Sequence, residues 1–159
     1  MYKNKDTGEY IVAFAGTNDL LDWRSNFDQA VGNGGEQYAQ LSTQLGSIRN
    51  ALGSNAVIVA TGHSLGGWIA TAAVSIGYVD KAVAFNPAGV HRDTIASLNP
   101  DSTGAAIEYM NKTTAYVSRG DILTNVQNLL DFFLPSTVGN QVLIEGGGVH
   151  GIDGILSAF

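Results

Sequence analysis

Five short, nearly continuous apolar runs punctuate this chain, and helix-like patterns fill the gaps between them. The runs are YIVAFA at 10–15, AVIVA at 56–60, KAVAF at 81–85, TTAYV at 113–117 and QVLI at 141–144. A strand with one wet face alternates apolar and polar residues. A run that is apolar at nearly every position belongs to a strand buried on both faces, which is the mark of a parallel sheet. Parallel neighbours need long crossovers, and the intervening segments have helical periodicity. Over 36–53, Tyr38, Leu41, Leu45, Ile48 and Leu52 recur at spacings of three and four, with Gly53 as a stop. Leu65, Ile69, Ala72 and Ile76 make one stripe over 64–78. Ile122, Val126, Leu129, Leu130 and Phe133 make another over 122–134, which Pro135 ends. The stretch 91–110 is less regular and reads as two short helices broken at Pro100. The alternation predicts an α/β domain over 1–159, with a mostly parallel, doubly wound sheet of about five strands flanked by helices.

Composition narrows the functions open to such a domain. With 159 residues, 45% of them hydrophobic, the chain buries roughly 70% of its unfolded surface and needs no staples. It has no cysteine, which excludes disulfides, thiol chemistry and cysteine-ligated metals. A net charge of −6 with only eight Lys and Arg argues against nucleic acid as a partner, because neutralising phosphates takes clustered cations. No apolar run approaches the roughly 18 residues of a membrane span. The opening MYKNKDTGEY carries no apolar core of a signal peptide, so the chain reads as mature, unsecreted or excised from a longer protein. The bacterial cytoplasm and export both stay open as compartments.

The second apolar run leads straight into TGHSLGGWIA at 61–70, which sets Ser64 between Gly62 and Gly66. In an open parallel sheet, ligands collect outside the carboxyl ends of the strands. Glycines at these two positions allow a sharp strand-to-helix turn with a strained, exposed serine at its tip, which is the nucleophile-elbow pattern G-x-S-x-G. A Gly-Ser turn in a chain with 20 glycines is the plainer reading, but here a strand precedes and a helix follows, as the motif requires. The helix start also directs backbone N–H groups and the positive end of its dipole at developing negative charge.

A serine hydroxyl needs a base to take its proton. His63 adjoins Ser64, but the tight turn points neighbouring side chains apart, so it reads as packing or polar lining. In the order Ser, acid, His usual for this motif, His91 has only Asp80 between itself and the serine. Asp80 precedes the 81–85 strand, at the wrong end of the sheet. His150, between GGGV and GIDG, has Asp121 upstream in YVSRGDIL, just past the carboxyl end of the 113–117 strand. Asp121 also suits an N-cap for helix 122–134, and His150 also suits an ordinary surface loop. One oxyanion donor is the N–H of Leu65, the residue after the nucleophile. A second comes from the loop after another strand, and Thr17, after strand 10–15 and Gly16, offers an N–H and a hydroxyl. A plain strand-ending turn explains Gly16-Thr17 nearly as well.

AFAGTNDLLDW, TGHSLGGWIA, YVSRGDIL and VHGIDG together resemble the class 3 lipases, a branch of the α/β-hydrolases, over nearly the whole chain. GHSLGG is widely shared among hydrolases, whereas the upstream GT and DW are more discriminating. With AFNPAG after the third strand, the chain is similar to bacterial lipase-like and phospholipase-like members. The resemblance implies a minimal α/β-hydrolase core, Ser64 as nucleophile, Asp121 as orienting acid, His150 as base, and Thr17 and Leu65 as oxyanion donors. It also implies a carboxylic ester hydrolase with no metal or organic cofactor. Its substrate is a small-molecule or lipid ester, and a lipid interface is a transient contact. Two departures stand out: Ala15 replaces the arginine of the family's F-R-G-T pattern, and the strands that normally precede that pattern are missing.

The segment TNDLLDWRSNF at 17–27 follows the oxyanion position. Leu20, Trp23 and Phe27 share one helical stripe, with Leu21 beside it and charged residues interleaved. In the resembled family this place carries a lid or its hinge, so these residues mark the substrate mouth. A surface helix whose Trp23 seals the core is an equal reading. GNGG at 32–35 keeps any lid small, which implies turnover of short soluble esters without a lipid interface. Two rivals use the same features. One is a non-catalytic α/β module or fragment, and the other is an acyltransferase that passes the acyl group to an alcohol.

Overall fold

The computed structural model describes residues 1–16, 34–87, 111–119 and 139–145, together with Asp153 and Leu156. Among the described residues, six strands and two helices follow in the order β1 (Tyr2–Lys3), β2 (Tyr10–Phe14), α1 (Gly34–Leu52), β3 (Ile58–His63), α2 (Leu65–Ser75), β4 (Lys81–Phe85), β5 (Thr113–Ser118) and β6 (Asn140–Ile144). All five predicted strands are present. The predicted helices over 122–134 and 91–110 lie outside the described residues.

The strands form one sheet in the order β1-β2-β3-β4-β5-β6, parallel from β2 onward, which gives an α/β fold. The unexpected sixth strand is β1, which pairs antiparallel with β2. A turn over Asn4–Gly8 makes this hairpin: Asn4 Oδ1 accepts from the N–H of Asp6 at 2.9 Å, and Gly8 takes φ 75°. The strand ahead of the nucleophile runs three residues past the apolar segment, to His63, because Gly62 stays in register with Phe14 and Ala84. That glycine continues the ladder, where its residue type suggested the start of the turn.

Strand order rises along the chain without reversal, so the described part has no switch point and is not doubly wound. Right-handed crossovers that always step the same way set their helices on one face. Register places Tyr10, Val12, Phe14, Ile58, Ala60, Gly62, Ala82 and Ala84 on a common face. Leu45 of α1 and Trp68, Ala70, Ala72 and Ala73 of α2 join Val12, Ile58, Ala60 and Ala82 in one core cluster on that face. Full burial of Leu45 and of Ile58 contributes roughly 1.5–3 kcal/mol each. The small side chains of α2 let the helix lie close to β3 and β4, which fixes the height of its first turn over the sheet.

Arg49, in the last turn of α1, pins the amino ends of the strands. Its Nε donates to Tyr78 O at 3.1 Å and one terminal nitrogen to Ala56 O, while the other meets Asp80 Oδ2 at 2.8 Å. Asp80 Oδ2 also accepts the Ile58 N–H at 2.7 Å. Burial pushes the Asp80 carboxyl up, but the Ile58 hydrogen bond, the Arg49 hydrogen bond and charge, and the Lys112 charge outweigh it and hold it below its ordinary value. A folded pKa below the unfolded one contributes stability above about pH 4, lost as pH falls through the folded value. Asp80→Asn should therefore lower Tm at neutral pH and flatten the loss of Tm below about pH 4. Thermal melts across that range check it, and an unchanged neutral Tm with an unchanged acid slope would contradict it.

Candidate active site

Ser64 stands where β3 gives way to α2, with φ 54° and ψ −121°. A side-chain-bearing residue held there costs of order 1–3 kcal/mol and persists only when its surroundings dictate it. They do so from three sides. The Ser64 N–H donates to Phe85 O of β4 at 3.0 Å, and its C=O accepts the Trp68 N–H at 3.1 Å, which opens the helix. Below the turn, a methyl on Gly62 would run into the backbone of Gly66 and Gly67, and one on Gly66 into the backbone of Phe14 and Ala15. The two motif glycines are needed for close approach more than for unusual dihedrals, since neither takes positive φ.

The serine is not exposed at the tip. It is 1% accessible, set between the carboxyl ends of β2 and β4. Its hydroxyl does not cap α2, and the first turn, Leu65-Gly66-Gly67, carries no acidic residue to offset the positive end of the helix dipole. The first N–H groups of a helix have no acceptor within it, so those of Leu65 and its neighbours are donors beside Ser64. In a poorly solvated pocket such donors act far more strongly on a developing oxyanion than in water.

The end of β2 abuts this turn. A Cβ on Gly16 would lie 2.6 Å from His63 O and 3.7 Å from Gly66 N, so the chain leaves β2 against the start of α2. Ala15, where the resembled pattern has arginine, is exposed. His63 shares a face with its register partner Phe85, which stacks on Tyr116 at 5.5 Å, on the side away from α1 and α2. Asp80 sits at the amino end of β4, engaged by Arg49 and Ile58 and far along the strand from Ser64. Thr17, Asp121 and His150 lie outside the described residues, as do His91 and the mouth residues Leu20, Leu21, Trp23 and Phe27. The strands leading to two of them are described. β5 ends at Ser118, three residues before Asp121, and β6 ends at Ile144, six before His150.

Sequence reasoning passed over Asn86. It is fully buried just past β4, with φ 39° and its Oδ1 accepting the Ser118 N–H at 2.8 Å. The legible signal was an Asn-Pro pair closing an apolar run, which marks a turn.

Comparison with known proteins places this geometry in a family. Residues 1–158 match the phospholipase-like family model described as the Tle-like phospholipase domain. The chain is also similar to an extracellular phospholipase A1 of Serratia liquefaciens, at 38% identity over 148 residues, or 91% of this chain. The matched region makes up 45% of that relative, so the chain spans about half the length of the curated protein it matches. A strained serine at a strand-to-helix turn and a family match across the whole sheet agree: the chain belongs to the phospholipase-like family, as a Tle-like phospholipase domain.

Proposed function

We propose that this domain hydrolyses carboxylic esters of lipids, with phospholipase A1-like cleavage of an acyl ester in a glycerophospholipid, through a Ser64–His150–Asp121 triad. The observation that carries the reading is the strained, buried Ser64 at the N-terminus of a helix whose first turn carries no acid. Membership of the phospholipase-like family and the similarity to a phospholipase A1 support a lipid ester as substrate.

In this reading His150 takes the Ser64 proton as Oγ attacks the acyl carbonyl. The oxyanion settles between the N–H groups of Leu65 and Thr17, where each donor contributes about 3–4 kcal/mol to the transition state. The carbon–oxygen bond to the lysophospholipid breaks, and His150 protonates the departing alkoxide. Water then attacks the acyl-enzyme, giving its proton to His150, and the fatty acid leaves as Ser64 regains its hydrogen. Asp121 holds the imidazole tautomer and stabilises the imidazolium. Every group required is a side chain or backbone amide of this chain, and the class 3 lipase arrangement of the α/β-hydrolases supplies the same order of roles.

A hydrolysis panel tests the reading. We expect fatty acid and lysophospholipid from phosphatidylcholine vesicles, and turnover of p-nitrophenyl butyrate below its solubility limit. Absence of free fatty acid, with the acyl group recovered on an added alcohol, would replace hydrolysis by acyl transfer. Inertness towards every acyl ester would leave the non-catalytic module.

A further inference from the structure

The carboxyl ends of the strands are tied together in sequence by single hydrogen bonds. Ser64 N–H donates to Phe85 O, Asn86 N–H to Tyr116 O at 2.9 Å, and Arg119 N–H to Ile144 O at 3.0 Å. The joint between β4 and β5 is the unusual one. In a regular parallel ladder, a residue whose N–H bonds one strand neighbour accepts from the residue two further on through its own carbonyl. Asn86 donates to Tyr116 and by that rule should accept from Ser118. At φ 39° its backbone has left the strand, and the side-chain Oδ1 takes the Ser118 N–H at 2.8 Å instead. Because that partner is a backbone donor, it fixes which end of the amide is oxygen.

Two features argue that this substitution serves more than the ladder. Glycine would adopt the same φ at lower strain, and asparagine is the residue type that tolerates it while adding an amide. The remaining Nδ2 is fully buried and has no partner among the described residues, as is also true of Ser118 Oγ beside it. A buried donor with no partner there is unfavourable, and a turn alone does not call for one.

We propose that Asn86 is a positioning residue for the hydrolytic site: it holds the end of β5, the strand that leads on to Asp121, in fixed register to the nucleophile elbow. The proposal rests on the Ser64–His150–Asp121 reading. Adjacent residues carry the two links, since Phe85, whose carbonyl holds Ser64, is the chain neighbour of Asn86. A displacement of about 1 Å in such a constellation can cost 10²-fold in turnover.

A double-mutant cycle on the full chain tests it, with kcat and KM measured on p-nitrophenyl butyrate. Asn86→Gly accommodates the backbone and removes only the amide. It should lower kcat about 30- to 100-fold, with KM little changed. Asp121→Asn should cost about 10⁴-fold, by analogy with other triads. Added to Asp121→Asn, Asn86→Gly should cost less than about 5-fold more, because the group it positions is already disabled. A merely structural role predicts multiplied losses, so a further loss above 5-fold overturns the proposal, as does a single-mutant loss below 5-fold. If Asp121→Asn keeps its activity, the triad assignment fails instead. Should Asn86→Gly not fold, Asn86→Ala, which also lacks the Oδ1 acceptor for Ser118, goes through the same cycle under the same thresholds.

Discussion

Ser64→Ala should abolish ester hydrolysis and leave the fold standing. The loss in kcat should approach about 10⁶-fold, because the members of a triad act as one unit and the oxyanion donors alone sustain the residue of activity. Folding is spared because alanine adds no atom to a site where glycines, not the hydroxyl, provide the room: the backbone bonds of Ser64 run through its N–H and C=O, and its side chain makes no cap. The positive φ is retained by context, so Tm should move by no more than a few degrees. Turnover of even a tenth of the parent rate would remove Ser64 from the mechanism.

His150→Ala should cost nearly as much, whereas His63→Ala and His91→Ala should cost far less. Strand geometry motivates this ranking. Asp80, the one acid between Ser64 and His91, is committed at the amino end of the sheet to Arg49 and Ile58. His63 belongs to the sheet face that carries Phe85. In the proposed triad, His150 follows β6 in the sequence and Asp121 follows β5, the order the proposal needs. With a neutral imidazole as base, as proposed, kcat/KM should rise with pH through about 6–7. Rate measurements on the three variants decide the matter. Inactivation by His91→Ala with survival of His150→Ala would exchange the base.

The central strands β3 to β5 were legible because burial leaves near-continuous apolar runs; the same pattern found β2 and β6, although β6 is mostly exposed, and all five survive as strands within two or three residues. β1 was not, since a two-residue strand, Tyr2–Lys3, has no run to read and is made by the Asn4–Gly8 turn. Strand order was also hidden: alternation of strand and helix is the same whether crossovers reverse or always step one way. At the site, Gly62, Ser64 and Gly66 announced the turn, but their spacing could not show that the serine is buried. That depends on β2 and β4, whose ends flank it from opposite sides of β3. Asn86 escaped notice for a related reason. Its amide stands in for a ladder carbonyl, which is a property of the register between β4 and β5 and not of local sequence.

The most direct test of the central claim, that Ser64 is an activated nucleophile, is covalent labelling by a fluorophosphonate followed by peptide mapping. An activated serine displaces the fluoride and keeps the phosphonate, whereas an ordinary serine reacts negligibly on the same timescale. Stoichiometric labelling confined to the peptide containing Ser64 is expected, with esterase activity lost in proportion and no label on Ser64→Ala. An unlabelled protein that still hydrolyses esters, or label on another serine in step with inactivation, would contradict it.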